Sequence, residues 1–123
     1  MSGPAKSGAM IYAANVDSLT TFYVRALSLR MIRSLPDMNI LASSDLQLIV
    51  HKSPFELEGI EAPAERHSAI KLFFSVDDKD AATKCIEDLG GRVMPQVWEG
   101  PNFLVSNAVD CEGNIFHLRW PTP

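Results

Sequence analysis

The side chains able to do chemistry in this 123-residue chain are few, and the ones that fall on strand-like stretches are mostly basic. They are His51, His67, Lys71, His117 and Arg119. On a strand, residues two apart share a face. Gln47, Ile49 and His51 then share one face, as do His67, Lys71 and Phe73, and likewise His117 and Arg119. An ammonium, a guanidinium and imidazoles suit an anion, which they hold by charge-assisted hydrogen bonds. A mid-strand imidazole such as His117 can also serve as a general base if its pKa lies near the working pH. Other chemistry is thin. Cys85 and Cys111 lack metal-ligand spacing and read as reduced thiols. No serine or cysteine nucleophile can be placed beside a histidine base, and no glycine-rich phosphate loop follows a strand. Glu56 and Glu58 lie in a mid-chain loop, where solvated charge is the usual state.

Bulk properties narrow the classes. Hydrophobic residues make up 46% and charged residues 21%, as in a folded globular domain. The net charge is -4, and the basic residues form no stripe beyond Arg30 and Arg33, so no nucleic-acid partner is expected. No apolar run approaches the roughly 20 residues that span a bilayer. Residues 1–8 carry no apolar signal core, and the expected location is cytoplasmic.

The elements that must position these side chains follow from periodicity. Strands are expected over residues 9–16, 29–35, 38–42, 46–51, 67–76, 92–98, 102–109 and 114–120. The first helix has Leu19, Phe22, Tyr23, Ala26 and Leu27 on one face, with Asp17 expected as its N-cap. The second has Ala81, Ala82, Cys85, Ile86 and Leu89, capped by Asp77 or Asp78 and ended by Gly90-Gly91. In the fifth strand Ile70, Leu72, Phe74 and Val76 should pack under a helix. The order is β-α-β-β-β twice, an α+β domain of two tandem modules, residues 9–51 and 67–121, joined by a linker over 52–66. The repeat is visible in the letters: Asn15-Val16-Asp17 recurs as Ser75-Val76-Asp77, and Leu27-Ser28-Leu29 as Leu89-Gly90-Gly91.

These segments, with Phe22-Tyr23 and the turn Asp110-Cys111-Glu112-Gly113-Asn114, resemble the vicinal oxygen chelate superfamily. That group includes glyoxalase I, extradiol dioxygenases, fosfomycin-resistance thiol transferases and bleomycin-binding proteins. The resemblance implies a curved mixed sheet forming a cup, and a homodimer. It also implies metal ligands on the first, fifth and eighth strands, and in some members on the fourth. Those positions fall on Met10, Lys71, His117 and Gln47. Only His117 is an ordinary ligand: a thioether is too soft for most divalent ions, and an ammonium repels them. No cofactor is therefore expected, and a divalent metal is disfavoured.

The expected function is binding of a small anionic molecule in the cup. Met10, Tyr12, Gln47, Ile49, His51, Lys71, Phe73, His117 and Arg119 would line it, and Trp98 would lie in a loop over it. Two alternatives stand beside it. One is a superfamily enzyme (lyase, isomerase, dioxygenase or thiol transferase), either with His67 or His51 joining His117 on a metal or with His117 as a metal-free base. The other is a protein–protein module with a filled cup.

Overall fold

The computed structural model describes residues 5–54 and 64–123, and its two compact units, Met1–Ile60 and Glu61–Pro123, each run strand, helix and then strands, three in the first unit and four in the second. In the first, β1 (Gly8–Ala13) leads to α1 (Val16–Ala26), then β2 (Arg30–Leu35), β3 (Met38–Ala42) and β4 (Gln47–Lys52). The sheet order is β1-β4-β3-β2, with β1 parallel to β4 and the other pairs antiparallel. The apolar positions of α1 recur every three or four residues, so Leu19, Phe22, Tyr23 and Ala26 make one stripe. That stripe is buried, as are Leu41, Leu48 and Val50 on the covered face of the sheet. Alternation turns Met10, Tyr12, Gln47, Ile49 and His51 to the opposite, open face.

The cap of α1 is Asn15, not the expected Asp17. Asn15 is still extended, at φ -130° and ψ 101°, and its side chain accepts a hydrogen bond from the Ser18 N–H at 3.0 Å. Asp17 lies inside the first turn, where a carboxylate favours the positive end of the helix dipole. The two types cap equally well, and the chain enters the helix two residues earlier than the acid suggests.

In the second unit β5 (Phe73–Ser75) is followed by α2 (Lys79–Asp88), β6 (Arg92–Val93), β7 (Trp98–Gly100), β8 (Phe103–Val109) and β9 (Ile115–Pro121). β5 is parallel to β9, β9 antiparallel to β8, and both β6 and β7 pair with the far edge of β8. The expected strand over 92–98 is thus split. Val93 faces Ala108 and Trp98 faces Val105, so five steps on one side match three on the other. Two surplus residues bulge out, and Ser106 holds the bulge by donating from its hydroxyl to the Gln96 carbonyl at 2.7 Å. Trp98 is consequently a strand residue and not a loop residue.

The fifth strand is also shorter than the apolar run suggests. Ile70 is 77% exposed and does not pack under a helix, because the segment before β5 turns, with the Ile70 N–H bonded to the Ser68 hydroxyl. Phe74 is the buried residue of β5, edge-on to Phe116 at 5.8 Å. Ala82 and Ile86 are the buried residues of α2, while Ala81 is exposed and Cys85 half-buried. Asp78 caps α2 by accepting from the Ala81 N–H, and Gly90 follows the helix at φ 94°. Of the expected linker, Lys52 closes β4 and Arg66 bridges to Asn114, while Glu56, Glu58, Gly59 and Pro63 lie outside the described residues.

In each unit the first strand lies parallel to the last, with the helix between the first two strands in sequence. Matching the two caps, Asn15 and Asp78, makes Met10 the counterpart of Phe73 and Gly8 the counterpart of Lys71. Among the described residues no helix is long and apolar enough to cross a membrane.

Candidate functional site: the open face of the second sheet

Three adjacent strands build this face. Phe73 on β5, His117 on β9 and Asn107 on β8 stand in one row across the sheet, and Ser75, Arg119 and Val105 make the next. Cross-strand partners project to the same side. The opposite side carries Phe74, Phe116, Leu118 and Ala108, all buried, which fixes the register. A shift of one residue would turn His117 and Arg119 into the core.

Lys71 stands just before β5 and donates from Nζ to Asn107 Oδ1 at 3.0 Å. Arg119 lies against two rings: its guanidinium carbon is 3.7 Å from the Phe73 centroid and 4.4 Å from that of Phe103. Cation–π attraction of this kind orients a guanidinium without neutralising it. Arg119 Nε is buried and makes no hydrogen bond. Among the described residues neither Lys71 nor Arg119 forms an ion pair. His117 is half-buried beside both cations. Burial, reinforced by the charges of Lys71 and Arg119, lowers its pKa from the ordinary 6.5, so the ring is neutral at pH 7.

The other predicted residues lie on the open face of the first sheet. Met10 and Tyr12 are exposed there, and Gln47, Ile49 and His51 half-buried. His51 is edge-on to Tyr12 at 5.9 Å, and its Nδ1 is 2.6 Å from the Lys52 carbonyl, so it is tied to its own strand end. His67 is exposed and outside any strand. Asn107 and Phe103 were not foreseen as site residues. Their signal was available: on β8 the alternation Phe103, Val105, Asn107, Val109 puts one polar residue on an otherwise apolar face.

Each unit also has a polar cleft. One, of about 330 Å³, is lined by Asn15, Asp17, Asp37 and Lys52 among others, and one of about 220 Å³ by Arg92, Asp110 and Cys111 among others. Neither includes any of the predicted site residues. In the second, burial and the flanking Asp110 and Glu112 push the Cys111 thiol up to about 11, which leaves it protonated and unreactive at neutral pH.

No protein-family model and no curated protein matches the chain. Solved structures do. A glyoxalase/bleomycin resistance protein/dioxygenase family enzyme from Burkholderia phytofirmans superposes with a TM-score of 0.67 at 21% identity, covering 97% of this chain and 100% of that one. The chain has the fold of the vicinal oxygen chelate superfamily. A glyoxalase/bleomycin resistance protein from Albidiferax ferrireducens gives a TM-score of 0.68 at 14% identity, covering 94% and 98%. A lactoylglutathione lyase from Agrobacterium tumefaciens gives 0.61 at 22%, covering 96% and 94%.

Members of this superfamily with metal centres raise the question whether the residues present suit one. The positions that the resemblance assigns carry a thioether (Met10), an ammonium already bonded to Asn107 (Lys71), an amide (Gln47) and one imidazole (His117). The repeat gives no better donor, since the counterpart of Lys71 in the first unit is Gly8. Among the described residues no three of His, Cys, Asp and Glu come together. Of these side chains only the His117 imidazole is an ordinary ligand for a divalent ion, and in neither unit taken by itself do the donors fit one.

Proposed function

We propose that the chain binds a small organic anion, without a metal, on the open face of its second sheet. One observation carries this reading: Lys71, His117 and Arg119 share that face, and no carboxylate of the described residues pairs with either cation. A fold that places two cations together without acids bears their mutual repulsion, and a bound anion relieves it. Phe73, 54% exposed, and Trp98, 45% exposed, offer apolar surface on the same sheet for the body of the ligand. The protein acts as a homodimer in the cytoplasm, closer to the bleomycin-binding type than to the lyases.

Isothermal titration with phenyl phosphate and benzoate, against the neutral benzyl alcohol, tests it. Binding of at least one anion, weakened by salt and absent for the alcohol, supports the reading. Equal binding of the alcohol, or none by either anion, sinks it.

A second reading rests on the neutral state of His117. A half-buried, unprotonated imidazole beside two cations is placed to take a proton from a bound carbon acid, because the cations stabilise the anion that forms. It predicts deuterium exchange into such a ligand in D₂O, lost in His117→Gln while binding persists. Exchange at the same rate in His117→Gln excludes it.

A further inference from the structure

We propose that Arg119 is a preset carboxylate fork, so that the ligand of this face is a small monocarboxylate with an apolar body. This rests on the anion-binding reading above and narrows it.

The fork is built from three strands. Arg119 projects from β9, Phe73 from β5 on one side and Phe103 from β8 on the other. No described residue accepts a hydrogen bond from the Arg119 side chain, so its orientation comes from the two rings. With Nε buried and both rings packed against the guanidinium carbon, the Nη–Nη edge is what remains for an acceptor. A carboxylate presents two coplanar oxygens at the spacing of that edge and is held by two parallel bonds.

Phe103 has its own support. Gly100 pairs directly with Phe103 across a two-residue turn, and a Cβ on Gly100 would overlap the Phe103 ring. Pro101 and Asn102, the latter at φ 67°, are what a type II turn requires at its two centres. The bare glycine thus lets the ring lie over β7 while it also meets Arg119. Phe103 and Phe73 act through Arg119 and are positioning residues.

Charge favours a carboxylate over a phosphate. Lys71 already donates to Asn107 and His117 is neutral, which leaves Arg119 as the cation without a bonded partner on this face. A dianion needs more donors than one fork supplies, and rings beside it make the dehydration of a second charge costly.

The test is titration of benzoate and phenyl phosphate into the full chain and into Arg119→Lys and Phe103→Leu, each checked for native circular dichroism. Arg119→Lys keeps the charge and loses the fork. The expected result is benzoate binding weakened about tenfold or more in Arg119→Lys and severalfold in Phe103→Leu. In the native chain phenyl phosphate should bind no tighter than benzoate. Benzoate binding held within about twofold in Arg119→Lys, or phenyl phosphate bound tenfold tighter than benzoate, overturns the fork while the anion reading stands. Failure of both anions to bind the native chain removes the anion reading and the fork with it. If Phe103→Leu is unfolded, Phe73→Leu, altering an exposed ring, reads the same stack.

Discussion

Lys71 donates from Nζ to Asn107 Oδ1 at 3.0 Å, and Asn107 stands directly across the ladder from His117. A neutral amide between a cation and a neutral imidazole holds Lys71 in place without cancelling its charge. A carboxylate there would cancel it. Asn107→Asp is therefore expected to raise the His117 pKa and to weaken anion binding about tenfold. The His117 ring-proton shift followed against pH by NMR checks the first, and calorimetry with benzoate the second. An unchanged His117 titration would show that the two side chains do not share an electrostatic environment.

The depressed pKa of His117 makes stability depend on pH in a definite direction. In the unfolded chain the imidazole takes up its proton near 6.5, and in the folded chain only at lower pH. Between those two values the unfolded state binds more protons, so stability rises with pH there. The contribution is present in full above about pH 6.5 and is lost as pH falls toward the folded value. Urea midpoints at pH 7.5 and 5.5 should differ in that sense, and the difference should shrink in His117→Gln. An anion bound beside His117 raises its pKa, so benzoate affinity should increase over the same fall in pH.

Gly100 gives a packing prediction. Any side chain there must displace the Phe103 ring. Gly100→Ala should destabilise the fold by about 1–3 kcal/mol, the usual range for forced overpacking. Because the ring also meets Arg119, benzoate binding should weaken in the same variant. Thermal unfolding and calorimetry together check this, and a variant that keeps both native values would show that Phe103 has room to move aside.

The fold was legible in the sequence because its signals are local and doubled. The stripe of Leu19, Phe22, Tyr23 and Ala26 is all buried, as read, and the matched segments around Val16-Asp17 and Val76-Asp77 each lie by a helix start, although α1 begins at Val16 itself and α2 only at Lys79, three residues past Val76. What failed was set by partners distant in sequence. Nothing near Ile70 says that pairing begins only at Phe73, since that depends on how the start of β9, a parallel strand more than forty residues on, lies beside it. Nothing near Pro95 says that two residues must bulge, since Ser106 on another strand anchors them. Of the candidate site, the charges were legible, because alternation alone puts His117 and Arg119 on one face. Its neutral parts were not. Asn107 and Phe103 acquire meaning only through the contacts with Lys71 and Arg119, 36 and 16 residues away in sequence.

The turn after β8 depends on one acid. Asp110, 2% exposed, accepts at Oδ1 from the N–H groups of Glu112 and Asn114 and bonds the Asn114 amide through both oxygens. Asp110→Ala leaves those donors without their acceptor in a buried turn. The expected loss is about 2–4 kcal/mol, read from chemical denaturation, since each stranded donor costs about 1–3 kcal/mol. Asp110→Asn, which keeps one acceptor oxygen, should lose less.

Ser28 offers a stabilising counterpart. It follows α1 at φ 59°, the left-handed region, in the place that Gly90 takes after α2 at φ 94°. A residue with a Cβ pays about 1–2 kcal/mol there. Glycine removes that strain but enlarges the entropy of the unfolded chain, which returns about 0.4–1 kcal/mol of the gain. Ser28 is exposed, and no packing is lost with its side chain. Ser28→Gly should therefore stabilise the first unit by up to about 1.5 kcal/mol, whereas Gly90→Ser should destabilise the second. Urea denaturation of both variants checks the pair. Opposite signs are required, because one backbone conformation is being relieved in the first and burdened in the second.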